Sequence, residues 1–212
     1  MNTQRWPAWA PLLGIAFVAL VVISFLISGE TPDIKDSPEK ILKYYNDNDS
    51  SQQWAAVLLG WGTVLFLFFL GVLRSTLADA EGGTPTFSAV AFAGGIVLAL
   101  GMLSFAGFTF TLGDAADHLT PDAAQALNAL NSDFFLPLAA GLGTLMIATG
   151  ISSIRSRVFP AWLGWLAVLI GIAAITPAGF FGFLAFGLWT IAASIVMWRA
   201  GSAGAAAPPS AV

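Results

Sequence analysis

In the segment GDAADHLTPD, residues 113 to 122, Asp114, Asp117, His118 and Asp122 form the one cluster in this sequence with ligand-type side chains. A zinc site draws three or four His, Cys or carboxylate ligands, and calcium takes six to eight oxygens. Thr120 reads as a helix cap and breaks any common face that would run through Asp122. Two readings follow, a solvated acidic rim or a weak cation site on Asp114, Asp117 and His118. Other chemistries fail on residue type. There is no cysteine, so no thiolate nucleophile or disulfide. His118 is the single histidine, so a bis-histidine haem has no second ligand, and no Ser/His/Asp set assembles without His118. No glycine-rich phosphate loop follows a strand, because no strand is evident. All lysines lie between residues 35 and 43, outside the apolar runs, where none can form a buried Schiff base. No cofactor and no catalytic residue is expected.

The elements that position these residues are set by an extreme composition. Of 212 residues, 57% are hydrophobic and 9% charged, against roughly 25% charged in an ordinary soluble domain. A helix needs about 20 apolar residues to cross a hydrocarbon core about 30 Å thick. Six stretches meet that need, about 7–28, 53–73, 87–111, 133–153, 159–177 and 179–198. The expected fold is therefore an all-α, polytopic membrane protein with six transmembrane helices. Its outer loops are 29–52 and 112–132, and a small, uncharged, Pro-ended tail over 200–212 is expected to be disordered. The first stretch is longer than a cleavable signal core and reads as a retained anchor.

Charge sets the orientation. Arg5, Arg74, Arg155, Arg157 and Arg199 fall on one side if the spans alternate. Basic flanks favour the cytoplasm, so both termini are expected inside, in a bacterial inner membrane. Lys35, Lys40 and Lys43 lie outside but are outnumbered by acids; the outer loops total a formal −7 and the inner side +3. Trp6, Trp9, Trp162, Trp165 and Trp198 cluster at the inner edge, where indoles favour the interface. No Asp, Glu, Lys, Arg or His interrupts a span, which argues against ion-coupled transport.

The first outer loop holds DSPEKILKYYNDNDS, where Ser37 caps a helix opening with Pro38. Ile41, Leu42, Tyr44 and Tyr45 fall on one half of it and Glu39, Lys40, Lys43 and Asp47 on the other. Glu39–Lys43 and Lys43–Asp47 stand at ion-pair spacing. Ten residues do not hold a helix in water, so the apolar half must rest on the bundle, the headgroups or a partner. Thr120, Pro121 and Asp122 repeat this cap in the second outer loop. That suggests either a repeat of spans 1–2 in spans 3–4 or independent use of a common cap. Inside the spans, small residues recur at four-residue spacing: Ala91, Gly95 and Ala99; Ala139 and Gly143; Ala167 and Gly171. Such ridges let helices approach closely, within the bundle or across an oligomer interface. Pro137 either kinks span 4 or fits its first turns, and LFLFFL, residues 65–70, is expected to face lipid.

The segments SPEKILKYYNDN, FLGVLRSTLADAEGG and FPAWLGWLAVLIG resemble a family of uncharacterised six-span bacterial membrane proteins, a domain of unknown function. The resemblance implies a helical bundle with both termini inside and carries no site residues. The leading expectation is a non-enzymatic protein that assembles with itself or another envelope component. The alternatives are a binder or uncoupled facilitator of a lipid or small apolar molecule, and a membrane-embedded enzyme using outer-loop carboxylates. Partners are the lipid bilayer and one of these; no nucleic acid is expected.

Overall fold

The computed structural model of the protein describes residues 6–206, and it is helical, with no strand among them. The helices are α1 (Leu13–Ser28), α2 (Pro38–Asp47), α3 (Asp49–Glu81), α4 (Thr86–Asp114), α5 (Pro121–Ser132), α6 (Leu136–Ser156), α7 (Ala161–Ala174) and α8 (Gly179–Ala206). Single 3₁₀ turns at Ala10–Leu12 and Ala116–His118 precede α1 and follow α4. Five runs are long and apolar enough to cross a membrane: Ala10–Ser28, Asp49–Glu81, Thr86–Asp114, Pro121–Ser156 and Gly179–Ser202. The sixth expected span, 159–177, is helical only over the 14 residues of α7, about 21 Å. Proline sets both limits. Pro160 is the residue before the helix, and Pro177 disfavours helical backbone at Thr176. Thr176 instead closes a turn, its hydroxyl donating to the Ala173 carbonyl and accepting from the Ala178 N–H.

Other boundaries shift for equally local reasons. α3 overruns its expected span at both ends, reaching 33 residues, or about 50 Å. It stops at Gly82 and Gly83, whose φ of 62° and 48° turn the chain into α4. The tail expected to be disordered from residue 200 continues α8 through Ala206. Alanine has the highest helix propensity, and no proline intervenes before Pro208. Residues 207–212 and 1–5, with Arg5, lie outside the described residues. Pro137 sits in the first turn of α6, where its missing N–H costs no helix bond.

The long helices form a closed ring in chain order. α1 packs on α3, α3 on α4, α4 on α6, α6 on α7, α7 on α8, and α8 returns to α1, with α3 also reaching α6. The middle of the ring is filled. Phe17, Phe66 and Phe186 meet with ring centroids 5.1–6.2 Å apart. Trp189 stacks edge-on to Phe159 and donates its indole N–H to the Leu163 carbonyl at 2.9 Å. The LFLFFL run, expected to face lipid, mostly enters this core: Phe66 and Phe69 are 0% exposed, and Phe68 alone of its three phenylalanines is half exposed, at 50%.

Small residues set how close the helices come. All seven ridge residues, Ala91, Gly95, Ala99, Ala139, Gly143, Ala167 and Gly171, are buried inside the single chain. Leu70 of α3 occupies the space beside Gly95. Gly143 and Gly171 face each other across α6 and α7, and Gly150 and Gly164 do the same a turn or two further along. The tightest approach, between α4 and α6, uses Gly94 against the backbone of Leu145 and Gly141 against the backbone of Leu98. Backbone cannot swing aside as a side-chain tip can, so overpacking there is costly. Gly141→Val is expected to lower stability by about 3 kcal/mol or more, read as thermal unfolding in detergent. Gly107→Ala, where a methyl meets nothing within 4 Å, should leave the midpoint unchanged or raise it.

Candidate functional site

At one end of the bundle, α2 and α5 lie against each other. Ser37 and Thr120 each accept a hydrogen bond from the backbone N–H three residues on, at 3.4 Å, with Pro38 and Pro121 opening the helices. Both caps therefore match their expected form. Ile41 and Tyr45 are buried and Leu42 and Tyr44 half-buried, packed with Leu112, Ala116, Ala124 and Leu127. The apolar half of α2 thus rests on α5 and the last turns of α4. It is covered by the chain itself, forming a small second core above the bundle.

A polar seam ties this cap down. The Tyr45 hydroxyl donates to Asn128 Oδ1 at 2.7 Å, and Asn128 Nδ2 donates to the Pro32 carbonyl. The Tyr44 hydroxyl and Gln52 Nε2 both donate to the Ser28 carbonyl at the end of α1, at 3.0 and 2.9 Å. Gln52 and Asn128 are fully buried, and neither stood out in the sequence. Their only signal was an amide on the apolar side of its helix. Glu39, Lys43 and Asp47 make no ion pair; Asp36 pairs with Lys40 instead, at 2.7 Å. A turn in which Asp33 N–H donates to Asp36 aims that carboxylate at Lys40, and the pairing holds the Asp36 carboxyl below its usual range.

Asp114, Asp117, His118 and Asp122 do not converge. All are exposed; Asp117 and His118 approach only to 3.6 Å, with side chains 69% and 83% open to solvent. Among the described residues, no three His, Asp or Glu side chains are placed to hold a metal ion. The 3₁₀ turn at Ala116–His118 buries Ala116 in the cap and splays the polar side chains outward.

The other end of the bundle contains a different arrangement. Glu81, last residue of α3, reaches across the Gly82–Gly83 turn to the start of α4. Its Oε1 accepts from the Ser88 N–H at 2.7 Å and from the Ser152 hydroxyl at 2.6 Å, and its Oε2 accepts from the Phe87 N–H at 3.1 Å. A carboxylate there satisfies orphan N–H groups and meets the positive end of the helix dipole. Beside it, Arg155 stacks its guanidinium 5.3 Å from the centre of the Phe87 ring. These side chains, with Thr84, Ser152 and Ser156, line a polar pocket of about 490 Å³. It shares Thr86 and Phe87 with an apolar groove of similar volume on the outward flank of the α4–α6 contact. Val90, Ala140, Thr144, Ile147, Ile151 and Ile175 line that groove. Along α6 it runs from Ala140 to Ile151, about 16 Å. The whole is an amphipathic slot, apolar for most of its length and charged at one end. Glu81 and Arg155 had entered the sequence reading only as topological charges. Groove walls are made by what alanine and glycine leave empty, which no residue type announces.

No protein-family model, curated protein or solved structure matches this chain.

The cap has a spectroscopic handle, because Tyr44 and Tyr45 are the only two tyrosines. Burial pushes both phenols above their ordinary range, Tyr45 further than Tyr44, and the neighbouring Tyr44 adds to the rise at Tyr45. The folded cap therefore favours the protonated phenols. Its stability is full below the unfolded tyrosine value of about 10 and is lost as pH rises through the higher folded values. A near-ultraviolet phenolate titration should show no ionisation at the pH of free tyrosine, then a steep late rise as the cap opens. Tyr45→Phe strips Asn128 of its donor and should cost about 1–2 kcal/mol, seen as a lower unfolding midpoint.

Proposed function

We propose that this chain is a six-span protein of the bacterial cytoplasmic membrane, both termini inside, which binds a membrane lipid in the α4–α6 slot without catalysing a reaction. The observation that carries the binding is the length and polarity of the slot. Its apolar run of about 16 Å matches one leaflet, half of a hydrocarbon core about 30 Å thick. Its polar end carries Arg155 and Glu81, at the end opposite the acidic cap. A cytoplasmic-leaflet lipid with its headgroup at Arg155 and one acyl chain along Thr144 and Ile147 has the right dimensions.

Several features support this over assembly. The small-residue ridges, open to a reading as bundle packing or as an oligomer interface, are buried within the chain, Gly95 against α3 and Gly143 and Gly171 against each other. The apolar half of α2 is spent on α5. Passage of a substrate through the bundle has no support from a centre filled by Phe17, Phe66, Phe186 and Trp189. An enzyme would need the outer carboxylates to face one pocket, and among the described residues no three His, Asp or Glu side chains are placed to hold a metal ion. For the sixth crossing, α7 is antiparallel to α6 and α8 and needs the flanking segments 159–160 and 175–178 to complete its reach. The resemblance to six-span proteins agrees with that count.

Two experiments test the reading. The absence of native cysteine makes single-cysteine labelling direct. A membrane-impermeant maleimide should modify Asn46→Cys in intact cells and Ser202→Cys only after lysis; the reverse pattern sinks the orientation. Native mass spectrometry of protein purified in mild detergent should show a retained lipid. Thr144→Trp, at an exposed position of the groove, should lose that lipid while its helix content by circular dichroism is unchanged. A lipid-free wild-type monomer would overturn the binding.

A further inference from the structure

We infer that the slot selects a zwitterionic aminophospholipid, with its phosphate on Arg155 and its primary ammonium on Glu81. This rests on lipid occupancy of the groove and assigns the headgroup class. The polar pocket offers one guanidinium and one carboxylate, a formally neutral pair. Among the described residues Arg155 makes no ion pair or hydrogen bond, only its stack on Phe87. Its planar fork of N–H donors is therefore free for a phosphate.

Glu81 is unevenly used. Oε1 accepts two hydrogen bonds, from Ser88 N–H and the Ser152 hydroxyl, while Oε2 accepts one, from Phe87 N–H. Each carboxylate oxygen has about two acceptor positions, so Oε2 retains one, on a side chain that lines the pocket. The α4 N–H groups that would otherwise draw an anion are already taken by Glu81.

The three common headgroup types then differ in what they leave unpaired. An anionic headgroup satisfies Arg155 but leaves a net negative charge beside Glu81 at the edge of a low-dielectric region. A choline headgroup also satisfies Arg155, yet its quaternary nitrogen has no N–H for Oε2. Nor can it use the face of Phe87, which Arg155 covers. A primary ammonium gives Oε2 a charge-assisted donor while the phosphate takes Arg155, and the pocket stays neutral.

The test is competition on the full-length protein. Detergent-stripped protein is equilibrated with mixed vesicles of phosphatidylethanolamine, phosphatidylglycerol and phosphatidylcholine in equal parts with identical acyl chains, then examined by native mass spectrometry. The expected result is an enrichment of phosphatidylethanolamine of about three- to tenfold over each competitor, the range of one ordinary net hydrogen bond where water competes. Arg155→Gln should reduce retention of all three lipids. Glu81→Gln should abolish the enrichment and keep the total. Because Glu81 also caps α4, a series on the wild-type protein supplies a second measure. Successive N-methylation of phosphatidylethanolamine should lower retention, most steeply when the last N–H is lost. Equal retention of the three headgroups, or enrichment of phosphatidylglycerol, overturns the headgroup assignment while leaving the groove a lipid site if Thr144→Trp still empties it. Wild-type retention no higher than that of Thr144→Trp overturns both.

Discussion

The close approach of α6 to α4 and α7 is the contact on which the rest of the molecule depends. In a membrane, helices gain nothing from leaving lipid for one another by hydrophobicity alone, so association comes from packing and backbone proximity. Gly94, Gly141, Gly143, Gly150, Gly164 and Gly171 supply that proximity by removing side chains where backbones meet. The same economy of side chain shapes the outer flank. Where the small side chains of Ala140 and Thr144 leave space beside Val90 and Ile175, the groove opens. Tight packing and an external cleft thus share one cause.

Polar groups divide along the bundle axis. Within the long helices several hydroxyls turn back on their own helix, as Thr63 does on Leu59 and Ser153 on Thr149, both at the carbonyl four residues earlier. Ser24 instead crosses to the Ala55 carbonyl at 2.7 Å and staples α1 to α3. Thr149, Thr190 and Ser194 are buried, their hydroxyls without a partner among the described residues. At the two ends, polar contacts become tertiary and involve amides, phenols and carboxylates. Gln52, Tyr44, Tyr45 and Asn128 close one end and Glu81 the other. Specific side-chain chemistry is concentrated where water competes and where the chain must be told how to turn.

This division explains what could be read from sequence. The long apolar helices and the caps were legible because they rest on local rules. Ser37 and Thr120 announce helix starts by type and by the proline that follows, and the arginines separate from the acids in plain view. The identity of the buried face was not legible. In a soluble helix, polar residues mark the solvent side, but in LFLFFL both sides are apolar, and nothing distinguishes Phe66 from Phe68 until α1 and α8 are in place. The length of α7 was overestimated because hydropathy ignores what Pro160 and Pro177 do to backbone. Convergence across distant segments was also hidden, since Glu81 meets Ser152 at a separation of 71 residues.

α3 is the longest helix and carries a determinant of each end, Gln52 in its first turns and Glu81 as its last residue. They stand 29 residues apart, about 44 Å along one uninterrupted axis. The mid-section of α3 is locked in the core by Phe66, Phe69 and Leu70. A rotation small enough to pass unnoticed at Phe66 would part Gln52 from Ser28 and swing Glu81 away from Ser88 together. The two ends of the molecule, chemically unlike and on opposite surfaces, are thereby mechanically a single joint.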